Sequence, residues 1–587
     1  MKIYLGDEKK TGQKIYLPKS SFGTHWHLIG GTGKGKTTAI HTMLHGLLLD
    51  PTANDCWFIL DRMGNLSYEL LLWLVSDFCP PFVRDRVVYI EPACEDVVIG
   101  FNPLLFDTQA QGYYKVSRST ETILRGWEST DIQAMPRLAR WLFNSFWAAA
   151  QLGLTISDCV HLLNPGSPFH ASLLACLPPL LKAEWDEILR SHGSEASRIL
   201  ESTRNRLKPY FESDILRRMF GSKRNYLDVL RMMKEGKIVI VNLASKGRLS
   251  PQEADAIGGL IINDILATTR ALPYGERYPT YLLLDEFQRF VGRDLEEALP
   301  EVRQLQIRLI LAHQSFSQLL RGDHDLTSLI FQAQSRMIFG VQGEDADLLA
   351  HELGSITFDP KKIKDELYSR RQMQKGNRII ELRGWSDSQT QADNWQKSYG
   401  TNWADQKRET RDPYDYSNAS VSKGDSRGRN DQQGTGGSMA RGSTTSRHEH
   451  LVPEFEQFVE LTMRSYYSFE ELKAMWARDI RNRNTGEAFL RLAGDPTIYD
   501  VMVKRSTPGH LQWDMEVLRR EYPQAMEDVA KFIEANFRSD FFTSPQAIDQ
   551  EAKKRLEAIV HPGLVGNVVT GNQLPSPPQK AGAELFG

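Results

Sequence analysis

Long apolar runs are missing from this chain of 587 residues. The longest lies near Leu70 to Val75, far short of the roughly 20 residues that a membrane span needs. The N-terminal stretch has no signal-peptide pattern. These absences predict a cytoplasmic chain that reaches an inner membrane only through a partner. Cysteine is scarce as well. Cys56, Cys79, Cys94, Cys159 and Cys176 are scattered without a C-x-x-C pair, which predicts free thiols and argues against a disulfide framework or a thiolate metal site. The histidines are dispersed and form no ligand cluster or nuclease-like centre. An excess of positive charge is also absent, since the net charge is −3. Any contact with nucleic acid must therefore use a local basic surface.

One segment is poor in core-forming residues. Trp385 to Arg447 contains no Leu, Ile or Phe and is rich in Ser, Gln, Asn, Asp and Gly. Such a segment buries too little apolar surface to offset its ordering entropy. We read residues 384–450 as a disordered linker, and residues 563–587 as a disordered tail.

What is present organises around alternating strands and helices. Residues 1–103 read as the first part of a parallel α/β core, with strands at Trp57 to Leu60 and Val87 to Ile90. Helical periodicity replaces strand patterns over residues 104–221, which we read as an all-α insertion. The core resumes over residues 222–383, through apolar runs at Lys237 to Asn242, Tyr281 to Leu284 and Arg308 to Leu311. Residues 451–562 read as a small α+β region, with strands at Glu487 to Leu492 and Thr497 to Lys504 and helices at Gln512 to Phe537 and Pro545 to Val560.

The motif that carries chemistry is Gly30-Gly31-Thr32-Gly33-Lys34-Gly35-Lys36-Thr37, a complete G-x-x-x-x-G-K-[ST] loop between a short apolar run and a helical pattern. Such glycines let backbone N–H groups turn toward phosphate, and the helix N-terminus adds positive potential. Gly30 through Thr38 are thus the candidate ATP-binding residues. Lys36 would reach the β- and γ-phosphates, and Thr37 would hold Mg²⁺. A second apolar strand ends in Asp285-Glu286. Asp285 would bind Mg²⁺ through water, and Glu286 would polarise the attacking water as general base. The next strand ends in Ala312-His313-Gln314, and Gln314 is placed to sense the γ-phosphate.

With these residues in hand, the chain resembles the HerA/FtsK superfamily of P-loop ATPases, and within it the TraG/TraD-type coupling proteins of conjugative type IV secretion. The resemblance runs from residue 1 to about residue 383. Ile3-Tyr4-Leu5-Gly6 with Thr11-Gly12 and Leu17-Pro18 is similar to the family's entry hairpin. Asn205 to Tyr210 resembles the helix that re-enters the core, and Gly236 to Leu249 resembles the coupling-protein strand and loop. Leu284 to Phe287, His313-Gln314-Ser315 and Glu344-Asp345-Ala346 complete the match.

The resemblance implies a RecA-like core and a hexameric ring around DNA, with ATP bound between subunits and an all-α domain on one face. It also implies a role for Arg303, eleven residues before Gln314, in stabilising transition-state charge. Two departures matter. The family's transmembrane helices are not seen here. The arginine usually found twelve residues before the phosphate-loop lysine is replaced by Thr24. Arg204, Lys246 and Arg248 are the candidates for a cation acting on the neighbouring subunit. The expected activity is ATP hydrolysis coupled to DNA translocation, with a relaxase, nuclease or membrane anchor as partner. The alternatives are an ATP-dependent recruitment hub and a defence-associated ATPase working with a separate nuclease.

Overall fold

The structure is a computed structural model. It describes residues 2–127, 136–190, 193–290, 301–302, 304–321, 324–325, 327–391, 421–431, 439–504, 520 and 523–560. The strands, in chain order, are β1 (Lys2–Glu8), β2 (Lys14–Pro18), β3 (Trp26–Ile29), β4 (Cys56–Asp61), β5 (Val87–Ile90), β6 (Ile238–Asn242), β7 (Thr280–Asp285) and β8 (Ile307–His313). A short hairpin of β9 (Leu320–Arg321) and β10 (His324–Asp325) follows. Then come β11 (Ser335–Ile338), β12 (Ile363–Gln391), β13 (Val421–Asp431), β14 (Met439–Tyr466), β15 (Glu487–Arg491) and β16 (Ile498–Val503). Two compact units result, residues 1–357 with 473–587, and residues 358–472.

The first unit is built on an eleven-stranded sheet in the order β2-β1-β16-β15-β11-β3-β8-β7-β4-β6-β5. From β11 to β5 every neighbouring pair is parallel. β3, β4, β5, β6 and β7 are buried at every residue, which explains why they read as unbroken apolar runs and not as alternation. β8 lies between β3 and β7, so three strand ends meet at one edge of the sheet. That edge is where an open α/β sheet places its ligands.

The described elements between β5 and β6 are helices joined by turns, from Gln109–Trp127 through Asp214–Met219 to Val229–Lys234. Their apolar side chains share one core with the sheet, from Phe146 and Trp185 to Val239 and Leu282. Among the described residues no single helix is long and apolar enough to cross a membrane. The pair Pro136–Gln151 and Ile156–Leu163, bent by 112°, has the length and composition together, and its apolar side chains belong to this same core.

The structure departs from the sequence reading after residue 357. β15 and β16 do not build a region of their own; they extend the main sheet, antiparallel, between β11 and β1. The helices Pro523–Phe537 and Pro545–Val560 also pack on the first unit. Asn536 clamps the backbone of Tyr89 on β5, accepting from its N–H at 3.0 Å and donating to its carbonyl at 2.7 Å. Buried Arg555 pairs with Asp158 of the helical segment at 2.9 Å. The start of the expected Gln512 to Phe537 helix lies outside the described residues. Local patterning shows that a strand is half-buried; it does not show which edge the strand joins.

The second unit holds a three-stranded antiparallel sheet in the order β12-β14-β13. It takes up the described part of the stretch read as a linker over residues 384–450. The reading rested on the lack of core formers, which bears on burial. A ladder of backbone bonds, which here sets Trp385 to Gln391 against Met439 to Thr445 and Val421 to Asp431 against Arg441 to Leu451, needs no apolar face. The tail over residues 563–587 lies outside the described residues.

Candidate functional site

The phosphate loop springs from the end of β3 and feeds the helix Lys36–Leu48. Gly35 caps that helix with φ of +109°, and a Cβ there would meet the Gly486 backbone at 3.1 Å. Only glycine suits both demands. Because the cap has no side chain, the first N–H groups of the helix point into the loop, where an anion would satisfy them. The loop is braced from outside. Gly31 N–H donates to the Gly340 carbonyl (2.9 Å), and Gly486 N–H donates to the Lys34 carbonyl (2.9 Å).

Lys36 is buried, and its Nζ donates to the carbonyls of Gly30 (2.5 Å) and Gly31 (3.4 Å). Burial lowers its pKa, opposed by the charges of Glu286 and Asp285. The sequence-expected lysine is thus held at the loop beside both carboxylates. Thr37 and Thr38 open the same helix, with Thr37 half-buried. Lys34 is occupied elsewhere. Its Nζ donates to the Arg483 carbonyl at 2.8 Å, so it braces the loop against the β15 approach.

β7 ends at Asp285, directly opposite Asp61 at the end of β4. Asp61 holds the start of the helix Asn65–Val75, accepting from the N–H groups of Met63 (3.0 Å), Gly64 (2.8 Å) and Ser67 (2.7 Å). Burial, followed by the charges of Asp61 and Glu286, pushes the Asp285 pKa up to about 7. A carboxylate held dry among like charges favours either a proton or a cation. Thr37 with Asp285 suits Mg²⁺, which binds through few protein groups and takes the rest of its shell from water and phosphate. No larger group of His, Cys, Asp and Glu that could hold a metal occurs among the described residues.

This shift has a measurable consequence. The folded Asp285 carboxyl keeps its proton up to about pH 7, against an ordinary value of 3.8. Its contribution to the stability of the ligand-free fold is present below about pH 4 and is lost as pH rises through 7. Asp285→Asn should therefore melt higher than the parent at pH 8, with the gap closing toward pH 5. Thermal melts of both proteins without divalent cations check this, and a gap independent of pH would contradict it.

Glu286 sits just past β7 with φ of +55°, an uncommon backbone for a residue with a side chain. Its carboxylate accepts from Gln288 Nε2 (2.5 Å) and Gln314 Nε2 (2.6 Å). Gln314 in turn accepts from Thr32 Oγ1 of the phosphate loop at 2.9 Å. One amide thus spans the gap between loop and carboxylate. The order β3-β8-β7 puts it there, since Gln314 follows the middle strand of the three.

Gln288 was not legible as a site residue; its two-residue spacing from Glu286 was the available signal. Arg303 lies outside the described residues. Thr24 Oγ1 donates to the Ser21 carbonyl (3.1 Å), a purely local bond. Lys246 adopts φ of +45° and pairs with Glu91, while Arg248 donates to the Ala93 carbonyl (3.1 Å) and pairs with Glu95 (3.4 Å). Both follow β6 at the same edge of the sheet. Arg204 is on the helix Gly193–Glu212, away from that loop in sequence.

Residues 196–382 match the family described as type IV secretory system conjugative DNA transfer. No curated protein matches the chain. Among solved structures, the bacterial conjugative coupling protein TrwBdeltaN70 in its unbound monoclinic form is 15% identical, with 84% of this chain and 88% of that chain covered and a TM-score of 0.47. TrwB in complex with ADP and Mg²⁺ is 14% identical over the same shares, again with a TM-score of 0.47. VirB4 of Thermoanaerobacter pseudethanolicus is 12% identical, over 59% of this chain and 86% of that one, with a TM-score of 0.39. At such scores the structural likeness carries no weight for function. The family match covers the carboxylate strand and the Gln314 strand, and it ends within β12. The chain is thus of the α/β class, and its residues 196–382 are similar to the conjugative DNA-transfer family of type IV secretion systems.

Proposed function

We propose that this chain is an ATP-hydrolysing motor that moves DNA in conjugative transfer. The observation that carries the reading is the Gln314 bridge, which ties the phosphate loop at Thr32 to the carboxylate of Glu286. A γ-phosphate bound at the loop would enter between these groups, so its presence or loss would move Gln314 and Glu286 together. Lys36 and the helix N-terminus bind the phosphates. Thr37 and Asp285 would hold Mg²⁺, which neutralises charge on the transferring phosphoryl group when bound. Glu286 accepts a proton from the attacking water.

These residues make only one side of a site. Fast phosphoryl transfer also uses a cation on the developing charge, worth about 10³ to 10⁵ in rate where measured. Arg303 is the candidate in the same chain. Arg204, Lys246 and Arg248 are the candidates from a neighbour in a hexameric ring around DNA. A relaxase and a membrane anchor are the partners such a motor would require.

The test is steady-state ATP turnover with and without DNA over a range of protein concentrations. Turnover should rise with DNA and with concentration as the ring assembles. Equal turnover at every dilution, unchanged by DNA, would overturn both motor and ring.

A further inference from the structure

Behind the Gln314 tip runs a buried polar chain that the phosphate chemistry does not use. It crosses three parallel strands, β8, β3 and β11. His313 closes β8, His27 lies within β3, and Arg336 lies directly opposite His27 on β11. His27 and His313 are 0% exposed, and Arg336 is 1% exposed. We propose that Arg336, His27 and His313 are positioning residues for Gln314, joined in a one-way run of hydrogen bonds that fixes the turn bearing its side chain. The proposal rests on the reading that this site hydrolyses ATP.

The direction of the run follows from chemistry. Arg336 Nε can only donate, and it lies 2.9 Å from His27 Nδ1. That nitrogen must accept, so the His27 proton is on Nε2. His27 Nε2 lies 2.7 Å from His313 Nε2, which must then accept. The His313 proton is therefore on Nδ1, and it donates to the Ser315 carbonyl at 3.1 Å. Every polar atom along the run has one partner and one role. Gln314 is the residue between the last imidazole and the carbonyl it holds.

Both ends are fixed. Arg336 forms an ion pair with Glu352 and donates Nη2 to the Ile330 carbonyl at 3.1 Å; Glu352 also accepts from Arg491 Nη1 of β15 at 2.7 Å. At the other end, Asp345 accepts from the N–H of Phe316 at 3.2 Å, and Gly30 N–H reaches the His313 carbonyl at 3.4 Å. The imidazoles are walled by aromatic rings. Phe316 lies 5.9 Å from His27 and 5.3 Å from His313, and Phe287 lies 5.1 Å from His313. The charged groups that act on the imidazoles are Arg336 and Lys36, with Glu352 and Arg491 grouped around Arg336. Burial, with Arg336 opposing a second positive charge, holds His27 well below its ordinary range; burial holds His313 to about 3. Protonating either ring would set two donors against each other in a dry space. The run is thus held in one set of tautomers with both rings neutral.

The experiment compares His313→Leu with His313→Asn. Asparagine Nδ2 can replace the Nδ1 donor to Ser315; leucine cannot. We expect His313→Leu to lower kcat by about 10- to 100-fold, as a misplaced group near the chemistry does, with affinity for a fluorescent ATP analogue within about twofold of the parent. His313→Asn should recover most of the rate. In ¹⁵N-histidine-labelled parent protein, one imidazole should show the Nδ1–H tautomer and its neighbour the Nε2–H tautomer, neither titrating down to pH 5. Loss of the Nδ1–H signal in His27→Leu would add support. An unaffected kcat in His313→Leu, equal damage in both variants, or Nε2–H on both rings in the parent would overturn the positioning role. A parent protein with these tautomers but no ATP turnover would instead overturn the activity on which that role rests.

Discussion

Glu286→Gln should lower ATP turnover by roughly 10²- to 10⁴-fold, the range that general-base groups contribute, while leaving nucleotide affinity nearly unchanged. The amide keeps the shape of the carboxylate and a place in its pocket. It cannot take a proton from water. In the parent, both oxygens of Glu286 accept from amide donors, Gln288 and Gln314. The variant's own N–H₂ must face one of those donors, so one neighbouring amide has to turn. Gln314 can do so, because its other contact is the Thr32 hydroxyl, which both donates and accepts. The variant should therefore fold and bind. Single-turnover hydrolysis measured beside nucleotide titration checks this, and retention of most of the parent rate would remove Glu286 from the role of base.

Lys36→Ala should act on binding first. Its amine contacts the loop carbonyls at Gly30 and Gly31, and it is the nearest cation whose charge opposes the raised pKa of Asp285. A hydrogen bond from a charged group is worth about 1.5–3 kcal/mol, so nucleotide affinity should fall by about 10- to 100-fold. Removing the amine also leaves Asp285, Glu286 and Asp61 without that cation, which should raise the Asp285 pKa further. Titration with a fluorescent nucleotide separates the two variants. Equal loss of affinity in Lys36→Ala and Glu286→Gln would contradict the division between binding and chemistry.

The phosphate loop, the strand ending in Asp285 and Glu286, and Gln314 after the next strand were legible because each is a local pattern. A Gly-rich turn needs its glycines adjacent, and a strand buried on both faces must be apolar along its length. The entry hairpin, which the resemblance implies, pairs as β1 with β2.

What stayed hidden depends on partners distant in sequence. β15 and β16 are legible as strands, but nothing local says that they complete the main sheet beside β11 and β1. The strands over residues 385–391 and 439–447 have no apolar face, and their ladder is held by backbone bonds that composition does not record. Lys34 belongs to the phosphate loop by motif, yet its amine is drawn away by a carbonyl at Arg483. His27 and His313 stand on two apolar strands, and no local pattern names the partners of their rings. Their neighbours, and so their protons, are set only when β3 is laid between β8 and β11, because a tautomer is fixed by the donor facing it and not by the residues beside it in the chain.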